Sequence, residues 1–237
     1  MQALILEQQD GKTLAAVKEL TDSQLPAGNV TVDVHWSSLN YKDALAITGA
    51  GKIIRNFPMV PGIDFAGTVH ASEDPRFHVG QQVILTGWGV GENHWGGLAQ
   101  RARVNGDWLV PMPEGLDGRK AMIIGTAGFT AMLCVMALEE AGIRPADGEI
   151  VVTGASGGVG STAIALLHKL GYQVAAVSGR ESTHEYLKAL GAQRILGRDE
   201  FADTRPLEKQ LWAGAVDTVG DKVLAKILAQ MNYGGCV

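Results

Sequence analysis

A glycine-rich run at residues 154–160 constrains the fold more than any other feature of this chain. The run has the sequence Gly-Ala-Ser-Gly-Gly-Val-Gly, follows an apolar segment at 149–153 and precedes a stretch with helical periodicity at 161–170. A strand, a glycine-rich turn and a helix in this order hold a phosphate with backbone N–H groups and a helix N-terminus. Because the run lies about two thirds of the way along the 237 residues, we expect a large domain to precede it.

The composition is that of a globular protein and disfavours nucleic-acid-binding, disulfide-rich and membrane proteins. Hydrophobic residues make up 46% of the chain and charged residues 19%. The length of 237 residues is enough for one large domain or two modest ones. A net charge of −5 without a basic block argues against a nucleic-acid surface. Two cysteines, Cys134 and Cys236, cannot form a disulfide framework, which favours a reducing cytoplasm. No N-terminal signal pattern and no membrane-length apolar run are found, so we expect a cytoplasmic protein without a membrane partner.

The pattern of the chain changes near residue 120. Before that point, short β-type runs separated by turn signals predict a compact β-rich domain with one helix at 41–48; the runs lie at 3–7, 29–36, 67–70, 82–86 and 107–111. The apolar stretch at 119–141 predicts one or two helices. Strands and helices alternate after it, which is typical of a doubly wound parallel sheet. We therefore predict an α/β protein with domains at 1–122 and 123–237.

The second domain is expected to be incomplete at its C-terminus. Four strands are predicted, at 149–154, 173–178, 194–196 and 215–219, with helices at 161–170, 182–190, 206–211 and 221–231. Residues 234–237 are interpreted as the start of a fifth strand. Since the complete dinucleotide-binding sheet has six strands, we expect this chain to be a fragment of a longer protein.

Three enzyme classes share a glycine pattern that fits this run. The patterns are the nucleophile elbow of α/β-hydrolases, the turn of short-chain dehydrogenases, and a dinucleotide turn with alanine in its first position. No lysine follows Gly160, which excludes a Walker phosphate loop. The late position and the lack of a Tyr-x-x-x-Lys pair disfavour a short-chain dehydrogenase. His168 and His184 lie too close to the turn to serve a hydrolase well, although that alternative stays open.

We favour the dinucleotide interpretation, which makes five residues of the turn cofactor contacts: Ser156, Gly157, Gly158, Val159 and Gly160. An NAD site usually has an acidic residue at the end of the second strand, for the ribose 2′-hydroxyl. Ser178, Gly179 and Arg180 stand there instead, and Arg198 follows the third predicted strand. A hydroxyl and guanidinium groups suit a 2′-phosphate, so the sequence predicts that the cofactor is NADPH. The alternative is that Arg180 is only a solvated loop residue.

Four motifs and the order of the two domains resemble the medium-chain dehydrogenase/reductase superfamily, in its zinc-free quinone-reductase branch. The motifs are Asn40-Tyr41-Lys42-Asp43, Pro61-Gly-Ile-Asp-Phe-Ala-Gly67, Gly96-Gly-Leu-Ala99 and Gly125-Thr-Ala-Gly128. The stretches at 88–95 and 177–186 are further similar to bacterial NADPH-dependent acryloyl-CoA reductases. This resemblance implies a GroES-like domain followed by a Rossmann domain and, for the full-length protein, a homodimer.

The resemblance also has implications for a catalytic metal and for the reaction. Zinc alcohol dehydrogenases resemble this chain around 40–43 and 61–67, with Cys and His where Asn40 and Ile63 stand. Neither Asn nor Ile is a suitable zinc ligand, so we expect no catalytic metal. The implied reaction is NADPH-dependent reduction of the C=C bond of an α,β-unsaturated acyl-CoA thioester, from acryloyl-CoA to propionyl-CoA. Tyr41 is placed at the nicotinamide, either as a hydrogen-bond donor or as a packing group.

Two alternatives to this activity are kept. The same cofactor residues would serve a quinone or enone reductase, because the residues that select the substrate are barely visible in the sequence. A non-catalytic NADPH-binding module, or an inactive fragment, is the alternative from another class. The phosphates of a CoA substrate would need cations, for which Lys52 and Arg55 are candidates, although solvated surface residues would look the same.

Overall fold

The computed structural model describes all residues, 1–237, and the chain divides into two compact units. The first unit comprises Met1–Thr126 and the second Ala127–Val237. The first is mostly antiparallel β-structure, and the second is a parallel sheet with helices.

The first unit contains a two-stranded hairpin and a five-stranded sheet. Its strands are β1 (Gln2–Gln9), β2 (Lys12–Glu19), β3 (Val30–Trp36), β4 (Asp64–Ser72), β5 (Gln82–Thr86), β6 (Arg101–Val104) and β7 (Leu109–Pro111), and its helix α1 spans Tyr41–Thr48. Strands β1 and β2 form the hairpin, and the sheet has the order β6-β3-β4-β5-β7. Alternate apolar side chains of the sheet are buried on one face, including Val30, Val32, Val83 and Leu85.

Two of these strands are absent from the sequence prediction. Strand β2 is exposed along almost its whole length, so its residues show no alternation of apolar and polar positions. Strand β6 has four residues, of which Arg101 and Arg103 are charged. Both strands form because a neighbour, β1 or β3, supplies their hydrogen-bond partners.

Helix α2 (Gly118–Glu140) contains a backbone break at Gly125, where φ is 53° and ψ is −166°. A Cβ at this glycine would lie 2.9 Å from the Ser38 Oγ, so both the left-handed φ and the close approach favour glycine. By length and composition alone, α2 is long and apolar enough to cross a membrane. The expectation that the chain has no such run is therefore wrong, although the break divides the helix into two shorter segments.

The second unit is a five-stranded parallel sheet with the order β10-β9-β8-β11-β12. Its strands are β8 (Glu149–Val152), β9 (Gln173–Val177), β10 (Arg194–Leu196), β11 (Trp212–Val216) and β12 (Met231–Cys236), and its helices are α3 (Gly158–Lys169), α4 (His184–Ala189) and α5 (Asp221–Ala229). The chain thus starts in the middle of the sheet and winds outward in both directions, as in dinucleotide-binding folds. The predicted α/β class, with a doubly wound parallel sheet, is confirmed.

Two predictions for this unit are wrong. No helix forms at 206–211, and the segment before β11 is irregular. The Glu208 carboxylate there accepts hydrogen bonds from Lys226 (2.8 Å) and Gln230 (3.0 Å), contacts that a local pattern cannot reveal. The last strand begins at Met231, within the predicted final helix, because α5 ends at Ala229. The end of the chain is therefore a six-residue strand paired with β11.

Candidate functional site in the parallel sheet

The glycine-rich turn follows β8 and depends on close backbone packing. Gly154 has a φ of 54°, and a Cβ there would lie 2.1 Å from the Thr218 Oγ1. The Gly157 N–H closes the turn by donating to the Gly154 carbonyl at 2.8 Å. A larger residue at 154 would have to displace Thr218 and adopt a conformation that L-residues avoid.

Helix α3 begins directly at this turn. A Cβ on Gly160 would lie 2.5 Å from the Gly154 carbonyl oxygen, and a Cβ on Gly158 would lie 2.9 Å from the Ala127 Cβ. These glycines therefore let the first turn of the helix approach β8. The N–H groups of the first helical residues, Gly158, Val159 and Gly160, have no acceptor within the helix. Together with the helix dipole they form a cradle that fits the pyrophosphate of a dinucleotide.

The end of β11 braces the turn through residues that the sequence interpretation missed. The Thr153 hydroxyl donates to Asp217 Oδ1 at 2.6 Å and accepts the Thr218 N–H at 3.0 Å. The Thr218 hydroxyl in turn donates to the Thr153 carbonyl at 3.1 Å. No short motif links 153 with 217–218, and only the parallel pairing of β8 with β11 brings them together.

The ends of β9 and β10 carry the predicted 2′-phosphate residues. Ser178 is buried, and its hydroxyl is within hydrogen-bond distance of Thr183 Oγ1 (3.0 Å) and accepts the Arg180 N–H (3.3 Å). The side chain of Arg198 lies against Gly179, since a Cβ there would be 3.3 Å from the Arg198 Cδ. Neither Arg180 nor Arg198 forms an ion pair with a carboxylate. The structure thus groups an exposed pair of arginine residues at this edge, while Ser178 shapes the loop that carries them.

Tyr41 belongs to the first unit, where it is the first residue of α1 and 81% exposed. The Asp43 carboxylate fixes this end of the helix by accepting the N–H of Asn40 at 2.9 Å and that of Gly62 at 3.0 Å. Burial raises the pKa of the Asp43 carboxyl, and the charge of Asp64 acts in the same direction. The side chain of Tyr41 is therefore presented from a firmly held backbone.

The positions compared with zinc ligands are occupied by a hydrogen-bonding network. The Asn40 amide donates to the Ser38 Oγ at 3.0 Å and to the buried Asp64 Oδ2 at 3.3 Å. Asp64 also accepts the N–H and hydroxyl of Ser38 and the N–H and hydroxyl of Thr126. No cluster of three or more His, Cys, Asp or Glu residues has a geometry that could hold a metal ion.

The β-rich unit, the doubly wound sheet and the glycine cradle together define a two-domain oxidoreductase fold, and the chain belongs to the medium-chain dehydrogenase/reductase superfamily. Residues 26–114 match the family model described as "Alcohol dehydrogenase GroES-like domain".

Two named proteins and one solved structure are similar to this chain over nearly its whole length. The chain is 85% identical over 237 residues to "Probable acrylyl-CoA reductase AcuI" of Escherichia coli strain K12, covering 100% of this chain and 73% of that protein. It is 58% identical over 233 residues to "Acrylyl-CoA reductase AcuI" of Ruegeria pomeroyi, covering 98% and 71%. The crystal structure of the YhdH oxidoreductase from Salmonella enterica in complex with NADP superposes with a TM-score of 0.98 at 86% identity, covering 100% and 73%.

Proposed function

We propose that this protein is an NADPH-dependent reductase of the C=C bond of α,β-unsaturated acyl-CoA thioesters, converting acryloyl-CoA to propionyl-CoA. The observation that carries the cofactor assignment is the pair Arg180 and Arg198, beside the glycine cradle and without a carboxylate partner. The substrate assignment is supported by the relatives named as acrylyl-CoA reductases.

The roles of the second unit follow from its geometry. The N–H groups at the start of α3 bind the pyrophosphate, and Arg180 and Arg198 bind the 2′-phosphate by charge-assisted hydrogen bonds. Ser156 and Val159 contact the dinucleotide from the same turn, and Ser178 holds Arg180 in place through its backbone N–H. When bound, NADPH supplies the hydride that reduces the β-carbon of the substrate.

The roles of the first unit concern the thioester. In this proposal Tyr41 packs at the nicotinamide, and its phenol either donates a hydrogen bond to the thioester oxygen as negative charge develops there or relays the proton that the α-carbon takes up to complete reduction of the C=C bond. No zinc takes part, because Asn40 and Ile63 occupy the compared ligand positions and the Asp64 oxygens already accept hydrogen bonds from protein donors. The proposal also includes a cytoplasmic location, a homodimer for the full-length protein, and no nucleic-acid or membrane partner.

A substrate panel tests this function. Acryloyl-CoA, crotonyl-CoA and a quinone are compared by kcat/KM with NADPH as reductant, and we expect acryloyl-CoA to give the highest value. A higher value for the quinone would contradict the proposal in favour of a quinone reductase. Binding of NADPH without turnover of any of the three would indicate a non-catalytic module.

A further inference from the structure

A cavity of about 400 Å³ lies in the first unit, between the β1–β2 hairpin and the segment that follows α1. The hairpin contributes Gln8, Gly11 and Thr13 to its walls, and the segment after α1 contributes Lys52, Ile54 and Arg55. A volume of this size is within the range of small-molecule sites. None of the residues of the second unit that are proposed to bind the cofactor lines this cavity.

The cavity is positively charged. Lys52 and Arg55 are its only charged lining residues, and no carboxylate lines it. Lys52 is exposed and has no hydrogen-bond or ion-pair partner in the protein. Arg55 has one distant partner, Glu92, at 3.9 Å, and Glu92 lies closer to Lys42, at 3.0 Å. The charge of Glu92 is therefore largely shared with Lys42, which leaves both lining cations available to an anion.

The remaining walls suit a nucleotide. Ile54 and Phe57 provide apolar surface on which a base can pack, and the Thr13 hydroxyl and the Gln8 amide provide polar groups. The ion pairs from Arg55 through Glu92 to Lys42 place the cavity close to the start of α1, since Lys42 follows Tyr41 directly. A ligand with its anionic end in the cavity and a flexible arm could therefore extend toward Tyr41.

We propose that this cavity binds the nucleotide end of the CoA thioester, with Lys52 and Arg55 contacting its phosphate groups. The inference rests on the proposed acyl-CoA reductase function. It adds the site by which the protein would discriminate between an acyl-CoA and a quinone as substrate. A quinone carries no phosphate and gains nothing from these cations. CoA carries a 3′-phosphate and a diphosphate, which fit two neighbouring cations.

The first test measures binding by calorimetry in the full 237-residue chain. The probes are CoA and 2′,5′-ADP, the latter representing the phosphate-bearing half of NADPH. The Lys52→Gln/Arg55→Gln double variant is expected to bind CoA about 10- to 100-fold more weakly and to keep its affinity for 2′,5′-ADP. Arg180→Ala is expected to do the reverse, and Lys120→Gln, a substitution of an exposed lysine outside the cavity, to change neither.

The second test is kinetic and compares acryloyl-CoA with acryloyl-N-acetylcysteamine, a thioester without a nucleotide. The double variant should raise KM for acryloyl-CoA by about 10-fold or more and leave KM for the short thioester unchanged. Equal KM changes for both thioesters, or an unchanged CoA affinity, would overturn the cavity assignment while leaving the reductase function standing. A wild-type chain that reduces a quinone but neither binds CoA nor reduces acryloyl-CoA would instead contradict the proposed function.

Discussion

Charged side chains at two places, one in each unit, differ in whether they have partners within the protein. In the first, the buried carboxylates Asp43 and Asp64 accept hydrogen bonds from several donors each. In the second, Arg180 and Arg198 lie at the edge of the sheet without a carboxylate partner. Groups that are satisfied within the protein hold loops in place, whereas cations without a carboxylate partner remain available to a ligand.

The arginine residues of the first unit sharpen this contrast. Arg76 forms ion pairs with Asp74 and Asp107, and Arg101 forms ion pairs with Asp22 and Asp33. An arginine with two carboxylate partners is already neutralised and has few free donors. Arginine therefore has a structural role at these two positions and a proposed ligand-binding role at Arg180, at Arg198 and, within the first unit itself, at Arg55.

The largest effect is expected for Asp64→Ala. The substitution leaves the half-buried donors of Ser38, Asn40 and Thr126 without their acceptor, which should lower the free energy of unfolding by about 3 kcal/mol or more. Urea denaturation followed by circular dichroism measures this change. Asp203→Ala, which removes an exposed carboxylate, is the control and should change stability by less than about 0.5 kcal/mol. A loss below about 1 kcal/mol at Asp64 would show that the network does not support the loops.

Arg180→Ala comes next and separates the two kinds of arginine. We expect KM for NADPH to rise about 10- to 100-fold and KM for NADH to stay nearly unchanged, because only NADPH carries the 2′-phosphate. Arg76→Ala is the matched comparison: it should lower stability and leave the preference for NADPH intact. Equal losses with both cofactors in Arg180→Ala would remove the 2′-phosphate assignment.

The smallest expected effect is a pH dependence of the free energy of unfolding, which has opposite signs for two aspartates of the first unit. Hydrogen bonds from the Arg76 side chain lower the pKa of Asp74 to about 2, so its contribution to stability is present above its ordinary pKa of 3.8 and is lost as the pH falls toward 2. Burial raises the pKa of Asp43, so its contribution is present below 3.8 and is lost as the pH rises through the raised value.

Unfolding of the wild type, Asp74→Asn and Asp43→Asn between about pH 2 and pH 7 measures both contributions. The stability difference between the wild type and Asp74→Asn should grow with pH. The difference between the wild type and Asp43→Asn should shrink with pH. Parallel curves for either pair would mean that the carboxyl in question has the same pKa in the folded and unfolded states.

Local signals account for the parts of the fold that the sequence predicts well. The predicted helix at 41–48 and strand at 82–86 both have the observed bounds, because Asn40 and Asp43 cap the helix locally and a short apolar run between Gln82 and Thr86 makes up the strand. Strand β2 lacks any such signal and depends on its pairing with β1. The helix predicted at 206–211 failed because the side chain of Glu208 binds α5 and the residue after it.

The residues of the candidate site also fall into two groups, those that a local sequence pattern predicts and those that it does not. The glycine turn and Arg180 are visible in the sequence because they follow predicted strands at a fixed distance. The brace formed by Thr153, Asp217 and Thr218 joins positions more than 60 residues apart (the Thr153–Asp217 separation is 64), and no local pattern contains it. The cavity near Lys52 also depends on the hairpin, whose second strand was not predicted.

The break in α2 has a consequence for how this protein can change during evolution. At Gly125 a side chain would meet both the Ser38 Oγ and the Asp64 Oδ2, at 2.9 and 3.3 Å, and the next residue, Thr126, donates to that same carboxylate. Positions 38, 64, 125 and 126 therefore share one small volume and one set of hydrogen bonds. A side chain at 125 would clash, loss of the carboxylate at 64 would orphan several donors, and substitution at 38 or 126 would remove donors that the buried carboxylate uses. We expect these four positions to covary among homologues as a single inherited unit.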